Sequence, residues 1–436
     1  MAFQTTTPTT VFNGPDAAYK VNSHSNPDGS VTQLIGVADG WSDAFGRLRI
    51  SNPFTLFESS FTYDAQPILF EAVQTTSGTV THDTAARCAV LTAATTSGSV
   101  AALQSRQYLP YEKGKSQLVK LTFELGAATV NVRKRVGYFD AVNGFYFESS
   151  DAGVSFVRRS SASGSLVNTL VPQVSWNMDP LDGTGSSGVT LDITKGQILV
   201  IDGQWLGVGR VRMGFNIDGV TIYCHEWLHA NRHDVAPYTQ TFSLPVRWEI
   251  ESTALSAGDT MKAICSEVES EGGVNTPNGH TFAGVNTANV ATSTARAHLI
   301  SIRPATQFPA ASGLVNRSFV IPQSMDVFAA EQTVLVEVFH NSTLAGGTWT
   351  RADANSTVEV GVGQTITTPG ILVSAFFVAA GSGDKKLAAA EALGIASTYP
   401  LTLSIAGDTP RALTLAVTTL ANTGTARGSI GWTEIR

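Results

Sequence analysis

The residues whose types and spacing could do chemistry lie in one string, His225-Glu226-Trp227-Leu228-His229. On a helix, two histidines four positions apart lie about 6 Å from each other, bind one zinc ion, and leave the glutamate beside a metal-bound water. On a strand the same two histidines lie roughly 13 Å apart, which is too far for a shared ion. The secondary structure of this string therefore decides whether the sequence encodes a zinc hydrolase.

The residues before the string predict a β-hairpin. Asp218-Gly219 tolerates the positive φ angles of a two-residue type I′ turn, and apolar residues alternate with other residues on both sides of it. The cross-strand pairs expected on one face are Ile217–Val220, Phe215–Ile222 and Met213–Cys224. On the other face, Trp227 should lie across from Arg210 as a cation–π pair.

We therefore interpret the string as part of a strand. The β-forming residues Thr221, Ile222 and Tyr223 run directly into it, and no helix N-cap precedes it. We predict no catalytic residue, no cofactor and no metal. A zinc site at His225 and His229 stays as the minor alternative.

The composition favours short strands and a surface of hydroxyl groups. Charged residues make up 14% of the 436 residues, well below the usual quarter, and the net charge is −7. This acidic balance argues against nucleic acid as a partner. The sparse cysteines, three in number and without a CxxC pair, do not form a disulfide framework.

The sequence also bears on membranes and on the place of synthesis. The first ten residues lack the basic and apolar segments of a secretory signal, so we expect synthesis in the cytoplasm. The longest nearly apolar run, residues 371–380, is too short to span a bilayer. We therefore expect no membrane insertion.

The order of patterns along the chain predicts a mainly β protein with two β-sandwich or jelly-roll-like domains. We expect an extended N-terminal arm and aromatic strap over residues 1–75, because its first 40 residues show little periodicity and proline breaks the aromatic stretch after them. A sandwich should follow at 76–271, a linker rich in Gly, Asn, Thr and Ser at 272–294, and a second sandwich at 295–436.

Alternating residues mark the candidate strands, and one segment has helix signals. The strands expected in the first sandwich are 116–125, 129–138, 145–147, 166–174, 198–201, the hairpin and 245–250. Those expected in the second are 318–321, 333–339, 357–362, 371–378, 401–405 and 413–420. The helix should span 384–393, with Asp384 as its N-cap and Gly394 after its end.

A resemblance to a known group of proteins extends along most of the chain. The segments that carry it are FGRLRISNPFTLFES (45–59), DPLDGTGSSGVTLD (179–192), QWLGVGRVRMGFNIDG…YCHEWLHAN (204–231), PYTQTFSLPVRWEIE (237–251) and VLVEVFHNSTLAGGTWT (334–350). They resemble tailed-bacteriophage virion structural proteins. The resemblance implies a component of the particle, and it carries over neither a catalytic residue nor a metal ligand.

We accordingly predict a non-enzymatic phage virion protein that acts through oligomeric assembly with copies of itself, as a trimer, and with other virion proteins. Tail, fibre-base, collar and head-surface positions all stay open. The alternative is a module that binds a host-surface glycan, for which Trp176, Trp205 and Trp227 could form a shelf. The residues expected to carry the interactions are Phe45, Arg47, Phe54, Phe57, Trp205, Arg210 and Trp227.

Overall fold

The structure is a computed structural model. It describes residues 52–232, 237–273, 279–381, 395–396 and 398–436, together with three strands that precede residue 52. The chain divides into two compact units, residues 1–52 and residues 53–436. The predicted helix over 384–393, and with it Gly394, lies outside the described residues.

The N-terminal unit contains a three-stranded antiparallel sheet. Its strands are β1 (Thr7–Phe12), β2 (Ala18–Ser25) and β3 (Val31–Gln33), paired in that order. The prediction of an extended arm is therefore corrected: threonine, valine and tyrosine in β1 and β2 favour extended backbone that pairs locally.

Two antiparallel sheets form the first sandwich. The seven-stranded sheet has the order β13 (Val167–Pro172), β12 (Gly153–Ser160), β11 (Gly144–Ser150), β10 (Val132–Phe139), β17 (Val246–Ser252), β8 (Val100–Ser105) and β5 (Phe70–Thr75). The eight-stranded sheet has the order β16 (Val220–Trp227), β15 (Val211–Ile217), β14 (Gln197–Gly203), β9 (Gln117–Glu124), β18 (Asp259–Ser270), β7 (Cys88–Ala93) and β6 (Thr79–Asp83), with β4 (Phe54–Ser60) also paired to β18. A short 3₁₀ helix, Gln173–Ser175, follows β13.

The core of this sandwich follows the alternation seen in the sequence. In β9, the side chains of Val119, Leu121 and Phe123 are buried between the sheets, while the residues between them are partly exposed. The prediction of a mainly β fold with antiparallel sandwiches is confirmed.

The aromatic strap is part of the first sandwich. Phe57 on β4 and Phe61 just after it are buried, and their rings pack edge-on against Phe70 at centroid distances of 5.8 and 5.1 Å. The strap is thus extended and anchored by its rings, and its strands are paired within the first sandwich.

A second sandwich follows, built from a three-stranded and a six-stranded antiparallel sheet. The first has the order β19 (His280–Thr292), β29 (Gly424–Ile435) and β21 (Phe319–Ala329). The second has the order β24 (Thr348–Arg351), β25 (Val358–Val362), β20 (Ala297–Pro304), β28 (Leu413–Thr419), β22 (Val334–His340) and β27 (Ile371–Val378). Two short strands, β23 (Thr343–Ala345) and β26 (Thr365–Thr368), pair separately.

Two sequence predictions in this region are wrong. Most of the expected linker at 272–294 is strand β19, which pairs along its length with the last strand, β29. The expected strand at 401–405 is a loop closed by a single bridge between Leu403 and Pro410. Both errors arise because the pairing partner, more than the local composition, determines which polar segments become strands. Among the described residues, no helix has the length and hydropathy needed to cross a membrane.

The two sandwiches contact each other beside β5. The carboxylate of Glu71 accepts a hydrogen bond from the backbone N–H of Ile405 at 3.2 Å and pairs with Arg106 at 2.7 Å. The guanidinium of Arg411 donates to the carbonyl of Ile68 at 3.1 Å. These contacts join a loop of the second sandwich to the first.

Candidate functional site

The histidine string lies on strand β16 and the loop after it. Asp218 and Gly219 have φ angles of +52° and +80°, as a type I′ turn requires, and β16 pairs with β15 through the predicted pairs Ile217–Val220 and Phe215–Ile222. The string is therefore extended, and the adjacent helical turns that a zinc site needs are not formed.

The third predicted pair is wrong because β16 contains a β-bulge. Met213 pairs with His225, and the register shifts between Met213 and Gly214, so that Cys224 is the extra residue. The carbonyl of Cys224 instead accepts hydrogen bonds from the backbone N–H groups of Met178 at 3.0 Å and Asp179 at 3.1 Å. The bulge reverses which side chains point inward beyond it.

This reversal places Trp227 in the core. Its ring lies 5.4 Å from Phe145 and meets His225 edge-on at 4.6 Å. Val211 lies opposite Trp227 in the strand register, and Arg210 pairs with the Glu226 carboxylate at 3.7 Å. The predicted contact between Trp227 and Arg210 is therefore wrong, because Trp227 packs in the core and Arg210 pairs with Glu226.

His229 is buried against Tyr238 and Arg158. Its ring stacks on Tyr238, its Nδ1 lies 2.9 Å from the Gly209 carbonyl oxygen, and its Nε2 lies 2.9 Å from Nη1 of Arg158. A guanidinium only donates, so Nε2 accepts and Nδ1 carries the proton. The Nε2 lone pair that a metal would need is thus directed at a cation.

His225 occupies a different environment from His229. Its side chain is buried, and burial lowers its pKa to about 4, so the imidazole is neutral at neutral pH. Among the described residues, no group of three or more His, Cys, Asp and Glu side chains is arranged to hold a metal ion. In the first sandwich, His225 packs against Trp227, whereas His229 stacks on Tyr238 and lies within hydrogen-bond distance of Gly209.

The predicted interaction residues divide between core and surface. Phe45 and Arg47 lie outside the described residues, and Phe54 is exposed on β4. The prediction that Phe57 contacts a partner is corrected, since this ring is buried against Phe70.

Two of the three tryptophans expected to form a shelf are core residues. Trp227 is buried as described above, and Trp176 is buried and stacks on Phe156 at 4.3 Å. Trp205 is partly exposed, donates from Nε1 to the Thr239 hydroxyl at 2.9 Å, and lies edge-on to Tyr111. The three rings therefore do not form one exposed surface.

A cleft of about 680 Å³ opens between the two sandwiches. One wall comes from the turn after β10, the end of β12 and residues 240–243. The other comes from residues 308 and 313–319 and from the end of β29. This volume lies in the range of clefts that bind small molecules and short oligomers.

Fixed polar groups form the first wall. The Asp140 carboxylate accepts from the backbone N–H of Asn143 at 2.7 Å, and the Asn143 amide donates to Gln240 Oε1 at 3.0 Å. The backbone N–H of Gln240 in turn donates to Asn143 Oδ1 at 3.1 Å, and its Nε2 donates to the Ser161 carbonyl at 3.3 Å. These bonds hold the Gln240 side chain, which is exposed to the cleft, in one orientation.

The opposite wall is largely apolar, with two arginines held against rings. Leu314 is 61% exposed, Arg436 lies over the Phe308 ring at 4.6 Å, and Arg317 lies over Tyr108 at 4.5 Å. The cleft therefore presents a flat apolar surface opposite hydrogen-bonding groups that are already oriented.

The sequence contains little signal for this cleft. Asn143-Gly144 is recognised as a turn, but nothing local connects it to Gln240 or to Phe308. The alternating segment Tyr238-Thr239-Gln240-Thr241-Phe242 offers a partial signal, because its rings point into the core and Gln240 points out.

Comparison with known proteins gives likenesses of fold alone. No family model matches the sequence, and no curated protein matches it. A family 16 glycosyl hydrolase from Mycobacterium smegmatis shares 12% identity over 49% of this chain and 100% of its own, with a TM-score of 0.34. The β-glucanase of Bacillus licheniformis shares 9% over 50% and 99%, with a TM-score of 0.31. The CBM2 module of the evolved Dit of Lactobacillus casei BL23 phage J-1 shares 9% over 51% and 97%, also with a TM-score of 0.31.

Proposed function

We propose that this chain is a glycan-binding module of a tailed-phage particle and that the cleft between its sandwiches holds the glycan. The observation that carries the proposal is the pairing of an apolar wall at Leu314 and Phe308 with an ordered polar wall at Gln240. Sugar rings have apolar C–H faces and a rim of hydroxyl groups, so they match both walls.

The order of the polar wall supports this choice of ligand. Sugar hydroxyls compete poorly with water unless the protein groups that bind them are held in place beforehand. Asn143, Ser161 and the Gln240 backbone fix the Gln240 side chain through hydrogen bonds within the protein. Such a wall binds without first losing side-chain entropy.

The proposed action is binding without hydrolysis. Glycoside hydrolysis commonly uses two carboxylates about 5–10 Å apart, one on each side of the scissile bond. Among the described residues that line the cleft, Asp140 is the only acidic side chain, and it accepts hydrogen bonds from Val142 and Asn143. This composition supports a recognition surface.

The assignment to a phage particle is supported by the sequence resemblance. The particle would be assembled in the host cytoplasm, and the cleft would face the host surface.

A binding assay with blocked and control variants tests the proposal. We would measure the purified chain, labelled, on an array of bacterial surface glycans and on isolated cell-wall polysaccharide. Leu314→Glu places a charge on the apolar wall, while Leu255→Glu changes a leucine that is 77% exposed and does not line the cleft. We expect at least about tenfold weaker binding for the first variant and no change for the second. Equal binding by both variants, or no glycan bound by the unmodified chain, would remove the proposal.

A second function, assembly with copies of the same chain, is supported by two apolar sheet edges. The end strand β13 exposes Val167 and Leu170, and Leu166 and Val174 are exposed just outside it. The end strand β27 exposes Leu372 and Phe377. Exposed edge strands with apolar side chains favour pairing with another chain.

Native mass spectrometry tests assembly directly. A mass at a multiple of 46.0 kDa, with a trimer as our expectation, would support it. Leu170→Lys and Phe377→Lys should lower the oligomer fraction if these edges carry the contact. A single-chain mass at micromolar concentration would leave glycan binding as the only proposed function.

A further inference from the structure

We propose that a second site, separate from the cleft, binds a single oxyanion group, a carboxylate or a phosphate, at the end of the first sandwich. We name it the rim cluster and define it by six residues: Arg158, Thr169, His225, Trp227, His229 and Tyr238.

Arg158 enters the cluster from β12. In the strand register it lies between Phe145 of β11 and Thr169 of β13. Its Nη1 contacts His229 Nε2 at 2.9 Å, and its Nη2 contacts the Thr169 hydroxyl at 3.4 Å. Two of its three nitrogens are thus directed at neutral groups.

The surroundings of this guanidinium differ from those of Arg135. Among the described residues, no carboxylate lies within 4 Å of Arg158, whereas the buried Arg135 pairs with Glu148, Glu249 and Glu251. Arg158 is partly exposed, and its partial burial lowers the pKa of its guanidinium. A bound anion would supply the missing counter-charge.

The same cluster holds unused hydrogen-bonding atoms. Arg158 Nε, His225 Nδ1, Trp227 Nε1 and the Tyr238 hydroxyl are buried and have no hydrogen-bond partner within the part of the chain that the structure describes. Their side chains form a continuous series of ring contacts. Trp227 contacts His225 and Phe145, and the Phe145 ring lies 6.0 Å from that of Tyr238. Tyr238 in turn stacks on His229. Buried polar groups are normally paired, so this concentration in one place calls for a ligand that reaches them.

The chemistry of these unpaired groups indicates the charge of the ligand. The guanidinium N–H and the indole N–H can only donate, and the phenol can donate. The charged oxygens of a carboxylate or a phosphate accept, and their hydrogen bonds to charged donors are the strong ones. A neutral alcohol or an amine would leave the Arg158 charge unbalanced. The rim cluster therefore takes a small oxyanion, either the carboxylate of an acidic sugar or the phosphate of an envelope polymer.

Titration of the full chain with acetate and with inorganic phosphate tests the site. Chloride at the same ionic strength serves as the reference, and binding is followed by calorimetry and by the melting temperature. We expect saturable heat and a raised melting temperature with at least one oxyanion. Glucuronate and glycerol phosphate, titrated in the same way, then separate the two sources.

Three variants locate the response. Arg158→Met removes the charge at similar volume, and Tyr238→Phe removes only the hydroxyl. Arg133→Met is a control on a partly exposed arginine that contacts Glu148 at 3.9 Å. We expect no saturable binding in Arg158→Met, about tenfold weaker binding in Tyr238→Phe, and unchanged binding in the control.

Two results would overturn the inference. One is an equal response to acetate, phosphate and chloride in the unmodified chain, which is expected if water pairs these atoms. The other is an unchanged response in Tyr238→Phe, which folds even if Arg158→Met does not. The Leu314→Glu variant should bind the oxyanion normally. Oxyanion binding at the rim cluster and glycan binding in the cleft are therefore tested by different variants.

Discussion

The ring of Tyr238 stacks on the ring of His229, with centroids 3.7 Å apart and planes 9° from parallel. Two residues further along, Gln240 faces the cleft and bonds to Asn143 and Ser161. One short segment therefore packs its aromatic residues into the sandwich end and presents its amide to the cleft. The histidine of the zinc-like string positions this segment.

The stacked pair should contribute strongly to stability. We expect Tyr238→Ala to lower the free energy of unfolding by about 3–5 kcal/mol, because it removes a buried ring and leaves a cavity. Tyr63→Ala, at a residue that is 86% exposed, should change it by less than about 0.5 kcal/mol. Urea denaturation of both variants checks this, and similar values for the two would contradict the packing described.

Zinc should have no specific effect on the chain. We expect added zinc to shift the melting temperature no more than magnesium does, since His225 and His229 lie in an extended segment and Arg158 occupies the Nε2 side of His229. Glu226→Gln should leave stability within about 1 kcal/mol, because its contact with Arg210 is a partly exposed pair. A zinc-specific stabilisation that disappears in His225→Ala and in His229→Ala would restore the metal site.

Stability should fall on mild acidification. Burial lowers the pKa of His225, His298 and His340 to about 4, below the value of 6.5 in an unfolded chain. The unfolded state therefore takes up these protons first, and the stability present above pH 6.5 is lost progressively as the pH falls towards 4. Chemical denaturation between pH 7.5 and 4.5 measures the slope. His298→Gln should reduce it, and a flat profile would show that these side chains are solvated.

The outer face of the seven-stranded sheet carries a buried ion-pair network. Arg135 bonds Glu148 at 2.9 Å and also contacts Glu249, whose other oxygen accepts from Arg247 at 2.9 Å. Burial alone would raise the pKa of Glu249, but Arg247 and Arg135 lower it to about 2.

Removing one member of this network should be costly. We expect Arg135→Met to destabilise the chain by roughly 3–5 kcal/mol, since it leaves buried carboxylates without their cation. Arg133→Met, on the same strand but partly exposed, should cost less than about 1 kcal/mol. Thermal unfolding compares the two variants. Equal losses of stability would mean that the buried ion pairs of Arg135 contribute no more than the exposed contact of Arg133.

The hairpin marks the boundary of what local sequence can predict. Asp218 and Gly219 determine the turn, and the turn determines the first two cross-strand pairs. The bulge at Cys224 was not predictable, because it depends on donors from Met178 and Asp179 in a distant loop. One inserted residue was enough to exchange the inner and outer faces and to move Trp227 into the core.

The sequence by itself determined the β class, the alternation within strands such as β9, and the extended state of the histidine string, because side-chain periodicity and turn chemistry are local. Only the tertiary structure decided that Phe57 is a core residue, that the polar segment after residue 279 pairs with β29, and that Gln240 and Phe308 face one cleft. These outcomes depend on which segments, distant in the sequence, pair with each other. That long-range pairing is selected by the packing of the whole sandwich.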